Sequence, residues 1–406
     1  MLPDTATVAS TAPLPEEFPP PPPSSSQRIH GLDSLRGLAS LSVVLCHCLH
    51  MVQFSSYYVA YAAFINIMYA PLLKTFINAN DAVLLFFLHS GYVLALPFIS
   101  GRQNTFPAFV AKRVFRIYPA HVVIMCLLLL GIVFWHPQPI PGMGDWFNRK
   151  ATVQPHLHDV IDQNLLVFMD PDTGPTPYNG VVWSLVHEMR ISLLFPVLVF
   201  LLLRRKPGFQ LAFLIGYPVG FHLLAPHSTR LDHLLPGTLA TIGYIHLFLI
   251  GIFLAEHREY IASHWSRLSS WWRSGIMLLT LLGYSAHMLV FPKSPLFPAD
   301  PILTVSLSLL VIAAANNERV FLFRPVRWLG KISYSLYLVH IPLLVLWTRL
   351  FYPQLPFWAI WLLTIASALG ASAVLYAYVE APLQQYGRVL AARIDSSFRD
   401  RLREPA

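Results

Sequence analysis

Charge is what this sequence lacks most. Only 12% of its 406 residues are Asp, Glu, Lys or Arg, against about a quarter in soluble globular domains. A mean hydropathy of +0.54 goes with that shortage and excludes an ordinary soluble fold. Cysteine is also scarce. Cys46, Cys48 and Cys126 all lie in apolar runs, where they read as small buried hydrophobes rather than a disulfide framework. The first 27 residues have no apolar core of the kind a cleavable signal needs. They hold Pro19 to Pro23 and Ser24 to Ser26 and read as a disordered, partly polyproline tail. No internal repeat stands out. Histidines such as His156, His158, His222, His227 and His246 lack ligand-like spacing, so no metal site is expected.

What is present is a series of long apolar runs. Ten spans are expected, at 35–56, 81–100, 118–136, 180–203, 209–226, 237–256, 274–291, 301–316, 332–351 and 356–380. The fold class is therefore all-α, a polytopic membrane helix bundle of about ten transmembrane helices. The net charge of +8 is no sign of nucleic-acid binding, because the basic residues sit in short loops between apolar runs. With ten spans, 21 of the 28 Lys and Arg fall on one side and six on the other, leaving Arg190 inside a span. That bias puts both termini in the cytosol. It gives a tail at 1–27, a membrane domain at 28–385 and a basic cytosolic tail at 386–406. The long outer loop at about 137–179 holds Asp145, Asp159, Asp162, Asp170 and Asp172 and is placed to cover the lumenal mouth.

Ionisable residues inside such runs are costly, which makes each a functional hypothesis. Arg36 opens the first run and His47 lies eleven residues further in, roughly 16 Å along a helix. His47 reads either as a packed, hydrogen-bonded histidine or as a general base. Low dielectric favours the neutral imidazole, which can take a proton from a hydroxyl. Arg113 and Arg116 are three apart and share a helix face. They suit either ordinary flanking charge or the phosphates of a CoA thioester, for which guanidinium forks are well shaped. His187, Glu188 and Arg190 crowd the outer half of the fourth span and call for partners on other helices. His89 and Ser90 sit about 12 Å in from the outer face of the second span. His340 is again mid-span, and Glu380 closes the last span, placed to cap or to pair with a loop arginine.

Seven stretches occur in order: Leu32-Asp-Ser-Leu-Arg-Gly-Leu-Ala39 leading to His47, Phe86-Phe-Leu-His-Ser-Gly-Tyr92, Arg113-Val-Phe-Arg-Ile-Tyr-Pro119, Trp183-Ser-Leu-Val-His-Glu188, Phe248-Leu-Ile-Gly251, Leu329-Gly-Lys-Ile-Ser-Tyr-Ser-Leu-Tyr-Leu-Val-His-Ile-Pro342 and Glu380-Ala-Pro382. Together they resemble acyltransferase family 3, and the resemblance covers about residues 28–385. It implies a ten-helix O-acyltransferase that takes an acyl group, often acetyl, from acyl-CoA. The family's Arg-x10-His pattern falls on Arg36 and His47, and its Arg-x-x-Arg pattern on Arg113 and Arg116. The implied roles are CoA binding for Arg36, Arg113 and Arg116, and deprotonation of the acceptor by His47. Glu188 orients or charges a histidine, or stabilises the imidazolium as it forms. His89, Ser90, His187 and His340 serve substrate binding. No esterase-like domain follows the last span, and the Pro-rich tail is more usual in eukaryotes. Both lean towards a small-molecule hydroxyl acceptor such as a fungal secondary metabolite, in the endoplasmic reticulum or another endomembrane. Acylation of a lumenal glycan or lipid, a proton-coupled transporter and a non-catalytic scaffold stand as rivals.

Overall fold

A computed structural model describes residues 29–51, 75–102, 104–134, 138–152, 161, 164–169, 179–225, 236–290 and 300–401. In chain order the helices are α1 (His30–His50), α2 (Ala79–Ile99), α3 (Phe106–Phe134), α4 (Asp145–Ala151), α5 (Val182–Leu202), α6 (Pro207–Leu224) and α7 (Thr238–Glu256). Then come α8 (Arg258–Arg267), α9 (Ser270–Val290), α10 (Pro301–Ala315), α11 (Arg319–Leu322), α12 (Arg324–Phe351) and α13 (Phe357–Leu375). A π-helical turn, Tyr376–Glu380, joins α13 to α14 (Ala381–Arg401). Each of the ten expected spans coincides with a helix. Eight of the described helices are long and apolar enough to cross a membrane. The protein is an all-α, multi-pass integral membrane protein. The remaining two expected spans are α9 and the 15-residue α10.

Helix ends follow local chemistry. Asn78 caps α2 by accepting from the Asp81 amide at 3.1 Å, and the Asp81 carboxylate accepts in return from the Asn78 side chain. Asp300 caps α10 at the Leu303 amide, 2.9 Å away, with Pro301 in the first turn. Such caps satisfy amide groups that have no partner within the helix. Helices α3 and α12 begin well before the apolar runs they contain. Their leading turns carry Lys112, Arg113 and Arg116, and Arg324, Arg327 and Lys331. Hydropathy counts those turns as loop, yet nothing in their backbone breaks the helix.

Within a bilayer, apolar contact with a neighbouring helix gains little over contact with lipid. Association depends on close approach at small residues and on interhelical hydrogen bonds. Both are prominent here. Gly91 of α2 packs on the Phe248 backbone of α7, and Gly251 of α7 packs on Leu88 and Tyr92 of α2. Gly37 of α1 packs on the Gly330 backbone of α12, while Ser40 Oγ donates to the Ser333 carbonyl at 2.9 Å. Two apolar clusters result. One gathers α1, α2, α5, α7 and α10, and the other gathers α3, α4, α12 and α13 with parts of α1 and α5. Polar side chains concentrate along the seam between them.

The segment expected as a basic tail continues as α14, packed beside α3. Gly387 meets the Phe115 side chain, and Asp395 accepts from the Thr105 amide at 2.8 Å and hydroxyl at 2.6 Å. The tail at 1–27 and Asp159, Asp162, Asp170 and Asp172 of the outer loop lie outside the described residues.

Candidate active site

The seam carries two polar groups, one towards each end of α1. Towards the Arg-rich end, Arg113 of α3 is 6% exposed and donates from Nη2 to Glu188 Oε1 of α5 at 2.8 Å. Ser90 Oγ of α2 donates to the same oxygen at 3.2 Å. Arg36 lines a narrow pocket here with Ser40, Ser90, Ser184, Glu188 and Tyr337. Arg116, one helical turn from Arg113, belongs to the same charge cluster. Neither Arg36 nor Arg116 has a hydrogen bond or ion pair among the described residues. A second carboxylate enters from the π turn. Glu380 accepts from Ser335 Oγ at 2.7 Å and from Gln384 Nε2 at 2.9 Å. A π turn adds one residue to the helical repeat and rotates the side chains beyond it, which is how Glu380 comes to face α12. Arg36 thus lies within electrostatic reach of Glu188, Glu380 and Asp33 as well as of Arg116, while only Arg113 holds a carboxylate directly.

Towards the other end, His47 of α1 and His340 of α12 meet, Nδ1 to Nε2, at 2.9 Å. Trp146 of the short outer helix α4 stacks on His47, with ring centroids 5.0 Å apart and planes 19° apart. The α4 segment is tied down by the Gly144 amide donating to the Met51 carbonyl at 3.0 Å, and by Arg349 donating to the Ala151 carbonyl. Burial beside Gly180, with the neighbouring Arg149 charge, pushes the Lys150 ammonium down to about 7. Lys150 lies close enough to His47 to act on it electrostatically.

The expected residues sort clearly. Arg36, Arg113, Arg116, Ser90 and Glu188 gather in one place, and His47 and His340 in another. Glu188 is held by Arg113 and Ser90, and among the described residues it has no hydrogen bond to a histidine. His89 is buried with Nε2 unpartnered, near the arginine cluster. His187 turns away from the seam towards α7, where Nδ1 lies 2.8 Å from Thr241 Oγ1 and its ring packs on Tyr244. Arg190 is structural. It donates to the carbonyls of Val167 at 2.7 Å, Pro236 at 2.8 Å and Met169 at 2.8 Å, pinning outer segments to the bundle.

Replacing Arg190 with Met leaves those carbonyls without their donor. Charged hydrogen bonds are worth about 1.5–3 kcal/mol each, so the midpoint of thermal unfolding in detergent falls by several degrees. An unchanged midpoint would show that the outer segments are held by other contacts.

Sequence reasoning missed two features. Trp146 was hidden in a loop with no apolar run around it. A repeated pattern also went unseen. Gly37, Ser40, Ser42 and His47 have the spacing G-x2-S-x-S-x4-H, and so do Gly330, Ser333, Ser335 and His340. Gly37 with Gly330, Ser40 with Ser333 and His47 with His340 each join residues 293 apart, so α1 and α12 run parallel and in register.

Comparison with known proteins adds a family and distant relatives. The family described as an acyltransferase domain matches residues 29–377. Acyltransferase MdmB of Streptomyces mycarofaciens is 26% identical, covering 87% of this chain and 88% of its own length. O-acetyltransferase PaAT-1 of Phomopsis amygdali is 23% identical over 77% of this chain and 71% of its own. Peptidoglycan O-acetyltransferase OatA of Listeria monocytogenes is 22% identical over 88% of this chain, which spans 56% of that relative. No solved structure matches the chain.

Proposed function

The chain belongs to the acyltransferase family that matches residues 29–377, and from that membership we propose a membrane O-acetyltransferase that moves acetyl from acetyl-CoA to a hydroxyl. The acceptor in this reading is a small molecule, such as a fungal secondary metabolite, acylated at the endoplasmic reticulum or another endomembrane. Residues 28–385 form the catalytic unit. Acyl transfer is set by the family. Two of the three relatives above carry O-acetyltransferase in their names, which supports acetyl as the group moved. The family match turns aside the transporter and scaffold readings.

The observation that carries the donor assignment is the pair of uncommitted arginines, Arg36 and Arg116, in a seam that leads along α1 to His47. Both are only half-buried and make no direct hydrogen bond among the described residues, so their forked donors stay open to an anion. The phosphates of CoA fit that charge, and the Arg-rich end is the cytosolic end in the topology drawn from loop charges. Arg113 is committed to Glu188, so its part is to shape the site. Glu188 holds Arg113 and Ser90 in place and contributes negative charge that keeps the cluster from repelling itself.

At the other end His47 removes the acceptor proton. The hydroxyl oxygen attacks the thioester carbonyl, the C–S bond breaks, and the thiolate leaves as CoA after taking the proton from His47. His89, near the arginine cluster, and Ser90 line the donor half of the site. His187 serves α5–α7 packing in this reading. Trp146 stacks on His47 at that end. The peptidoglycan named in the Listeria relative keeps a glycan acceptor as the second reading.

Arg36→Gln and Arg116→Gln test the donor assignment. Each removes about 1.5–3 kcal/mol of charged hydrogen bonding, so the KM for acetyl-CoA rises about ten- to hundredfold with a smaller change in kcat. A change confined to acceptor kinetics would place the donor elsewhere. Metabolite profiles of cells with and without the gene identify the acceptor as a product that loses one acetyl group.

A further inference from the structure

We propose that His340 is a positioning residue that fixes His47 in the tautomer with a free Nε2 lone pair. The inference rests on the reading of His47 as the base and adds what prepares it. His340 Nδ1 lies 3.1 Å from the Leu336 carbonyl. A carbonyl only accepts, so that nitrogen carries the proton. The other nitrogen of the neutral ring, Nε2, is then an acceptor. It faces His47 Nδ1 at 2.9 Å, so His47 Nδ1 carries its own proton and donates. One nitrogen remains, His47 Nε2, and it holds a lone pair. With both rings neutral, no other assignment satisfies both contacts. The planes of the two rings differ by 7°, with centroids 5.1 Å apart.

The device also handles the product of the proton transfer. When Nε2 takes the hydroxyl proton, the His47 ring becomes cationic. Its Nδ1–H bond to His340 becomes charge-assisted and therefore stronger. The pair favours protonation at Nε2 with no heavy atom moving. Groups around it come from three helices: His50 on α1, Tyr337 on α12, and Trp146 and Lys150 on α4. Trp146 fixes the ring plane of His47 and His340 fixes its proton.

The repeated G-x2-S-x-S-x4-H pattern explains how two side chains on separate helices hold so specific a distance. Gly37 against Gly330 sets the separation of α1 and α12, and Ser40 on the Ser333 carbonyl sets their register. Seven residues further along each helix from those serines, two turns on, the histidines fall opposite each other. By analogy with the partners that orient metal-binding histidines, removal of His340 is expected to cost about 10–100-fold in activity.

The test uses the full chain in liposomes, with diethyl pyrocarbonate as probe and peptide mass mapping as readout. This reagent acylates an unprotonated imidazole nitrogen. His340→Gln keeps an acceptor oxygen near the place of Nε2, and His340→Leu keeps bulk without an acceptor. His47 is expected to react at close to the wild-type rate in His340→Gln and about 10–100-fold more slowly in His340→Leu. Turnover of acetyl-CoA is expected to follow the same order in kcat, with KM for acetyl-CoA unchanged. Equal rates in the two variants overturn the positioning role, as does a Gln variant whose His47 reacts more than about tenfold more slowly than wild type. Retained acyl transfer in His47→Ala overturns the reading of His47 as base instead. The labelling of His47 does not depend on that reading, so the two failures are told apart.

Discussion

Replacing His47 with alanine lowers kcat about 10²–10⁴-fold, the usual contribution of a positioned general base, and leaves a folded protein. Folding survives because the change is local. His47 is half-buried in the last turn of α1, and alanine is the best helix former available. What is lost is one hydrogen bond to His340 and the stack under Trp146, together about 1–2 kcal/mol. Two other groups compete for the role of base. Glu188 already accepts from Arg113 and Ser90 on one oxygen, and His340 has its Nδ1 proton committed to the Leu336 carbonyl. Neither is as free to accept a proton as His47 Nε2. Turnover of the His47 variant, measured beside its elution profile and thermal midpoint, separates lost chemistry from lost fold.

Gly330→Ala is expected to abolish both activity and stable folding, although glycine to alanine inside a helix ordinarily stabilises by about 0.5–1 kcal/mol. The sign reverses because of what a methyl group meets. At Gly330 it would run into the backbone of Asp33 and Ser34, and at Gly37 into the backbone of Leu329 and Gly330. No side chain can swing aside, so α1 and α12 must separate. Overpacking of this kind costs about 1–3 kcal/mol or more. The separation also draws His340 away from His47, so even a surviving fraction turns over slowly. Gly275 and Gly370 provide the control, since a methyl group there meets nothing within 4 Å. Gly275→Ala and Gly370→Ala should keep the thermal midpoint and activity of the native chain. If Gly330→Ala behaves as they do, the α1–α12 contact does not hold the site.

The apolar helices were legible because hydrophobic length is the strongest signal a membrane chain carries. The early starts of α3 and α12 were not, because basic flanks look like loop to hydropathy while remaining helical. The arginine cluster was half legible. Arg36, Arg113 and Arg116 declared themselves by charge at a helix mouth, but only geometry distinguishes the committed Arg113 from the uncommitted pair. His187 and Arg190 sat in the same suggestive cluster as Glu188. Residues one or two apart point to different sides of a helix, and with no partner in view the sequence could not say which side faced the seam. His340 stood out by depth, but its contact with His47 depends on the parallel register of two helices far apart in the chain. The repeated spacing around the glycine and histidine of each helix was the available clue. It is short and sparse enough to pass as coincidence until the two helices are seen in contact.

The central claim is one reaction: transfer of acetyl from acetyl-CoA to a hydroxyl, with His47 taking the proton. Liposomes carrying either the native chain or His47→Ala can be given acetyl-CoA labelled in the acetyl group, together with a hydroxyl-rich metabolite extract of the source cells. The native chain is predicted to release one CoA thiol for each labelled ester formed, and His47→Ala to form almost none. Equal ester formation by the two, or thiol release with no labelled ester from the native chain, would contradict it.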